Sequence, residues 1–332
     1  MDKTSLTYII FGIVILVALI LDLGLLSKKG KVLSMKTALY QTLFWVALSL
    51  AFCGFIWFEN LYGNGKESAI QYISAYLLEW SLSIDNIFVF IIIFSYFKVE
   101  EKYYSRVLLL GILMAVVFRI LFIAIGSTLV AKFEFLMYIF GIFLLFTGVK
   151  LFSKHDESEF DPHETFAFKL IKKFLPTTDE PHQGKFVIRK ENGKKYYTTL
   201  SIVVFMLGMI DILFALDSIP AVFSIIPDPS KKLLIYSSNI FAVLGLRSLF
   251  FLLRGAASKF DYLQQGIATV LIFIGVKMLL PLLHFAGVDE KYLHIPAWVS
   301  LLVILFCIGG SILYSIYHKR QGVPEDYPDE VN

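Results

Sequence analysis

The sequence predicts an all-α, polytopic membrane protein of about nine transmembrane helices, six of them forming two inverted three-helix repeats. Three observations predict this. The 332 residues are 57% apolar and 17% charged, with mean hydropathy +0.72, too little polar surface for a soluble domain. The apolar residues gather in runs of about 20 or more, the length that spans a bilayer. One set of polar residues inside those runs occurs twice, in the same order.

Spans are expected at 6–26, 36–58, 69–97, 106–130, 133–152, 200–226, 233–253, 262–283 and 296–317. The first has no small-residue cleavage site and reads as a retained anchor. The third is long enough to tilt or project. The chain divides into two N-terminal helices (1–66), a first repeat (67–152), a loop (153–199), a second repeat (200–284), a C-terminal helix (285–318) and a tail (319–332). Of the 30 Lys and Arg, 21 fall on one side of these spans and 6 on the other, with Arg119, Arg247 and Lys277 inside them. The positive-inside rule puts the richer side, with the 153–199 loop, in the cytoplasm, the N-terminus outside and the C-terminus inside. In the loop, 164–175 reads as an interfacial amphipathic helix, with Phe166, Leu170 and Phe174 on one stripe and Lys169, Lys172 and Lys173 opposite. Asn192-Gly193 between short alternating stretches signals a hairpin over 186–199. The acidic tail from Pro324 to Asn332 reads as disordered.

The repeated set begins with acids. Glu79 and Asp85 lie in the third span, Asp211 and Asp217 in the sixth, each pair six residues apart and followed by Asn86 or Ser218. Each charge near mid-bilayer costs about 2.5 to 3.5 kcal/mol on insertion scales, so four acids imply function. The copy continues through Arg119 and Arg247, then Gly148-Val149-Lys150 and Gly275-Val276-Lys277. The offset is 132 residues at the acids, 128 at the arginines and 127 at the lysines. Three spans per repeat is an odd number, so the second copy enters the membrane from the opposite side.

Acids six apart stand about 120° apart on a straight helix. They line one cavity only if the helix bends or unwinds between them. Pro220, which clashes with the carbonyl of Leu216, supplies a reason for a break in the second copy; Ser81, Ser83 and Asn86 would do similar work in the first. Carboxylate, carboxamide, hydroxyl and carbonyl are hard oxygen donors. They suit Mn²⁺, Mg²⁺ or Ca²⁺ over copper(I) or zinc. The expected metal ligands are Asp85, Asn86, Asp217 and Ser218, with Glu79 and Asp211 further along as outer ligands or proton carriers. Arg119 and Arg247 must each meet an acid. Lys150 and Lys277, near span ends, are expected to snorkel. Asp22 and Asn239 are candidates for an access path, Asp22 equally a capping or snorkelling acid, and Asn239 a further ligand or, by preference, an interhelical hydrogen bond. Cys53 and Cys307 read as buried hydrophobes with no zinc or disulfide pattern.

The segments Ser81-Leu82-Ser83-Ile84-Asp85-Asn86 and Ala215-Leu216-Asp217-Ser218-Ile219-Pro220-Ala221 resemble the two signature segments of the TerC/Alx family of integral membrane proteins. The likeness covers nearly the whole chain, including Leu21-Asp22-Leu23-Gly24 before a basic loop. The family is named for tellurium resistance. The resemblance implies a protein of the bacterial cytoplasmic membrane that exports a divalent metal, chiefly manganese. Oxygen chemistry alone leaves Mn²⁺, Mg²⁺ and Ca²⁺ open.

The expected function is therefore outward secondary transport of a divalent cation, with lipid and metal as partners and no tightly bound cofactor. With all four acids ionised against two arginines the set carries net −2, which one divalent ion or two protons neutralise. Metal and protons are thus expected to compete, metal moving out as protons move in. Net charge of +3 gives nucleic acid no electrostatic support. Two other classes stay open. An intramembrane aspartyl protease would use two facing aspartates, but neither stands in a Gly-x-Gly-Asp setting. A membrane scaffold of a stress-response complex would have no need of an intact acid and Arg set in both repeats. Metal accumulation with and without the protein separates them.

Overall fold

The computed structural model describes residues 3–24, 34–133, 135–153, 165–178, 184–190, 193–254, 262–286 and 295–321. The helices are α1 (Lys3–Gly24), α2 (Met35–Phe58), α3 (Gly65–Tyr96), α4 (Glu101–Lys132), α5 (Leu136–Ser153), α6 (Phe166–Phe174), α7 (Thr199–Ile225), α8 (Lys232–Arg254), α9 (Leu263–Leu279) and α10 (Ala297–Gln321). A two-stranded hairpin, β1 (Val187–Arg189) and β2 (Lys195–Tyr197), completes the set of longer elements. The protein is all-α and multi-pass. Among the described residues, five stretches are long and apolar enough to cross a bilayer: Met35–Phe58, Glu101–Lys132, Lys232–Arg254, Gln264–His284 and Ala297–Ser315. Shorter apolar stretches lie in α1, α5 and α7. The 32-residue α3 carries the first acid pair.

Burial sorts the helices. Large apolar side chains point outward from Ile13, Leu16 and Ile20 on α1, Leu121 and Ile125 on α4, and Phe306 and Leu313 on α10. Such faces suit lipid. By contrast, α8 is buried almost all round, enclosed by α2, α3 and α4. A helix buried on every side must find partners for its polar groups inside the protein.

The main pairings are α3 with α8, α4 with α7, and α5 with α9. The last is built on the two Gly-Val-Lys segments. A methyl at Gly148 would lie 2.7 Å from Ile272 and 3.0 Å from the Ala268 carbonyl; one at Gly275 would lie 2.8 Å from Leu145 and from the Gly141 carbonyl. Ala268 and Ile272 stand 127 residues after Gly141 and Leu145, the same displacement that separates the glycines. Each glycine thus meets the counterpart of what the other meets.

One expectation fails in α7. The helix runs unbroken from Thr199 to Ile225 with Pro220 inside it. Proline removes a single N–H, and the surrounding packing holds the rest. Gly126 on α4 admits Phe223 and Ile219 to 3.1 and 3.6 Å of its Cβ position, clamping α7 on both sides of the proline.

The loop between the repeats is structured where described. Thr165 caps α6, accepting from Phe168 N at 3.3 Å. The buried face of α6 is Phe168 and Ile171, while Phe174 is 69% exposed; the expected stripe through Phe174 is corrected accordingly, because α6 lies against α7 and Phe97, whose ring is 5.9 Å from that of Phe168. The hairpin pairs Val187 with Tyr197 in antiparallel register. Gly193 takes φ +73° in its turn, a conformation that favours glycine, and Asn192 lies outside the described residues. Arg106 at the start of α4 donates to Gly184 O at 3.4 Å, tying the loop to the bundle. The 324–332 tail lies outside the described residues.

Candidate functional site

Arg119 on α4 lies at the meeting point of α3, α7 and α8. Its Nε and Nη2 donate to both oxygens of Asp211 at 2.9 and 3.0 Å, and Nη1 donates to Glu79 Oε1 and to Asn239 Oδ1 at 3.3 Å. Asn239 in turn donates to Ile235 O at 2.9 Å. Arg119, Glu79 and Asp211 are each at most 1% exposed. The fork of the guanidinium fits a carboxylate bidentately while its remaining nitrogen reaches a second acid. One arginine therefore joins the first acid of one sequence copy to the first acid of the other. Both ionised, the trio carries net −1.

The polar stripe continues past this cluster. Glu79, Ser83 and Asn86 step through positions i, i+4 and i+7 on α3; Asp211 and Ser218 stand at i and i+7 on α7. At this spacing side chains share one helical face. All five are buried. Glu79 Oε2, Ser83 Oγ and Ser218 Oγ have no hydrogen-bond partner among the described residues. Buried oxygens without donors are costly unless water or a cation meets them. Gln41 on α2, fully buried with neither side-chain atom partnered among the described residues, is a further such group. Sequence reasoning missed it, although a lone glutamine in an apolar span was a readable signal.

The other expected residues divide as follows. Asp85 and Asp217 lie on α3 and α7, next to Asn86 and Ser218, but their side chains fall outside the described set, as does that of Asp22 on α1. Arg247 is buried in α8. Among the described residues no group of three His, Cys, Asp or Glu side chains is placed to hold a metal ion. Glu79 and Asp211 are held by Arg119; Glu79 keeps one oxygen unpartnered. Lys150 is exposed at the end of α5, and Lys277 stands in the last turn of α9. It is half-buried, donates to Ser300 Oγ at 2.9 Å, and lines a cavity of about 290 Å³.

Comparison with known proteins agrees with this architecture. The integral membrane protein TerC family matches residues 64–322. A Myxococcus xanthus protein named uncharacterized membrane protein STKORF319 is 40% identical over 312 residues, 94% of this chain and 92% of its own. Several relatives carry the name of a candidate membrane-bound redox modulator, Alx. The Salmonella typhi protein is 40% identical over 317 residues, 94% of each chain. That of Escherichia coli K12 is 38% identical over 323 residues, 94% of this chain and 96% of its own. No solved structure matches.

Proposed function

This chain belongs to the integral membrane protein TerC family, and on that premise we propose that it is a secondary transporter exporting a divalent cation, Mn²⁺ first, from the cytoplasm. The observation that carries the reading is the buried polar stripe shared by α3 and α7. It presents unpartnered oxygens from Glu79, Ser83 and Ser218 beside an acid cluster of net negative charge. A hydrated or partly dehydrated hard cation suits such a surface. Asp85 and Asn86 on α3 and Asp217 and Ser218 on α7 supply charged and neutral ligands at two levels, because on antiparallel helices joined at Glu79 and Asp211 six residues carry each pair about 9 Å to opposite sides of Arg119.

The path runs in a nine-span bundle of the bacterial cytoplasmic membrane, N-terminus out and C-terminus in. The matching environments of Gly148 and Gly275 support the inverted repeat. Manganese comes from the family resemblance, and the protein is a carrier rather than an enzyme. The redox wording belongs to the Alx relatives; here the two thiols, Cys53 and Cys307, stand on separate helices, α2 and α10.

Metal and protons compete for the acids, so efflux exchanges metal for protons. In proteoliposomes an imposed pH gradient drives Mn²⁺ uphill. Equal rate and extent with the gradient present, collapsed or reversed would sink the exchange, and no Mn²⁺ movement at all would sink the transport.

A further inference from the structure

The cavity beside Lys277 opens where α3 begins and α7 ends. It is lined by Glu67, Gln71, Ser224, Lys277 and Met278, among others. Helical rise places Gln71 about 12 Å beyond Glu79 along α3, and Ser224 about 9 Å beyond Ser218 along α7. The cavity therefore lies beyond the polar stripe in depth, displaced round α3 and α7 from the stripe's face, at the end that the topology above puts outside the cell. Two charges line it, Glu67 and Lys277. Gln71 spans the wall: its Nε2 donates to Glu67 Oε1 at 3.4 Å and its Oε1 accepts from Lys231 at 2.9 Å. Asp228, next in sequence to the lining Pro227, is exposed and accepts from Ser230 N at 2.9 Å.

A carboxylate at the outer mouth of a cation path is a trap. Unopposed, Glu67 would hold a departing divalent ion and recapture it from outside. We propose that Lys277 neutralises Glu67 and makes this cavity an exit vestibule that releases the cation and resists its return. This rests on the transport reading and assigns a specificity role to a residue outside the Arg119 cluster. The ammonium acts on the ion by charge, through the shared cavity, while its bond to Ser300 anchors it to α10. A unit charge a few ångströms from a divalent ion in a half-hydrated cavity changes its binding by about tenfold or more.

The test is inhibition of Mn²⁺ efflux by external Mn²⁺, in cells loaded with manganese and expressing the full chain. Lys277→Met keeps the stem and removes the charge; half-inhibition is expected at about one tenth of the wild-type external concentration. Adding Glu67→Gln restores the wild-type value, and Ser300→Ala, which keeps the charge, leaves it unshifted. Equal shifts in Lys277→Met and Ser300→Ala, with no restoration by Glu67→Gln, would make Lys277 a structural tie and overturn the vestibule alone. Should Lys277→Met fail to reach the membrane, Glu67→Gln by itself must raise the half-inhibiting concentration, and an unchanged value overturns the proposal. A wild-type protein that exports no Mn²⁺ overturns this proposal and the transport reading together.

Discussion

Arg119 holds two acids from two helices, and its removal exposes what each contributes. Arg119→Ala leaves Glu79 and Asp211 buried with no counter-ion at that point, a loss of about 3–5 kcal/mol for a broken buried pair. The expected outcome is a sharply lower melting temperature in detergent. Arg119→Ala combined with Glu79→Gln and Asp211→Asn recovers much of it, because neutral amides carry no charge to desolvate. A triple variant as unstable as the single one would mean that packing, not charge, holds the cluster. The acids beside Asn86 and Ser218 behave differently. On the proposed transport reading, Asp85→Ala and Asp217→Ala are each expected to abolish Mn²⁺ efflux at near-normal protein level, since each removes a proposed charged ligand. Asn86→Ala and Ser218→Ala weaken apparent affinity only, because water replaces a neutral ligand. Wild-type efflux in Asp217→Ala would remove that residue from the path.

At the scale of elements, the α5–α9 contact is the closest test of the repeat. Gly148 and Gly275 are approached by backbone carbonyls at 3.0 and 2.8 Å of a Cβ position. A side chain there forces the helices apart, at about 1–3 kcal/mol for overpacking. Gly148→Val and Gly275→Val are therefore expected to lower the melting temperature by similar amounts, as their environments correspond. Gly54 on α2 has nothing within 4 Å, so Gly54→Val supplies the open-space comparison and should change little. Equal melting of all three variants would remove close packing as the reason for the paired glycines.

At the scale of the molecule, the distribution of bases predicts an orientation for the bundle, and a labelling experiment tests it. In a background with Cys53 and Cys307 replaced by serine, Lys66→Cys and Lys169→Cys place single thiols at exposed positions. An impermeant maleimide is expected to label Lys66→Cys in intact cells, and Lys169→Cys only after permeabilisation. Labelling of both from outside would break the topology, and labelling of Lys169→Cys alone in intact cells would invert it and take with it the assignment of the Lys277 cavity to the exit side. That cavity and the α6 loop lie at opposite ends of α3 and α7: Gln71 and Ser224 at one, Phe97 and Met206 at the other.

Hydropathy and repetition by themselves determined that the chain is an all-α membrane protein with acids, arginines and Gly-Val-Lys segments in duplicate, because a bilayer penalises each such charge and tolerates it only for use. They also showed that Arg119 needs an acid. Which acids it meets was a tertiary matter: Glu79 and Asp211 lie 40 and 92 residues away, and helix packing alone brings α3, α4 and α7 together. The unbroken α7 was likewise out of reach, since the cost of Pro220 depends on Gly126, a residue of another helix, giving Phe223 room to pack. Gln41 and Ser83 are visible in the sequence as polar residues in apolar spans, but that their side chains are buried without partners among the described residues is a result of the packing. Lys277 reads as a lysine near a span end; its burial against Ser300, opposite Glu67, follows from where α10 docks on α9. Local spacing specifies which face of a helix is polar, and only the packing of the other helices specifies what that face meets.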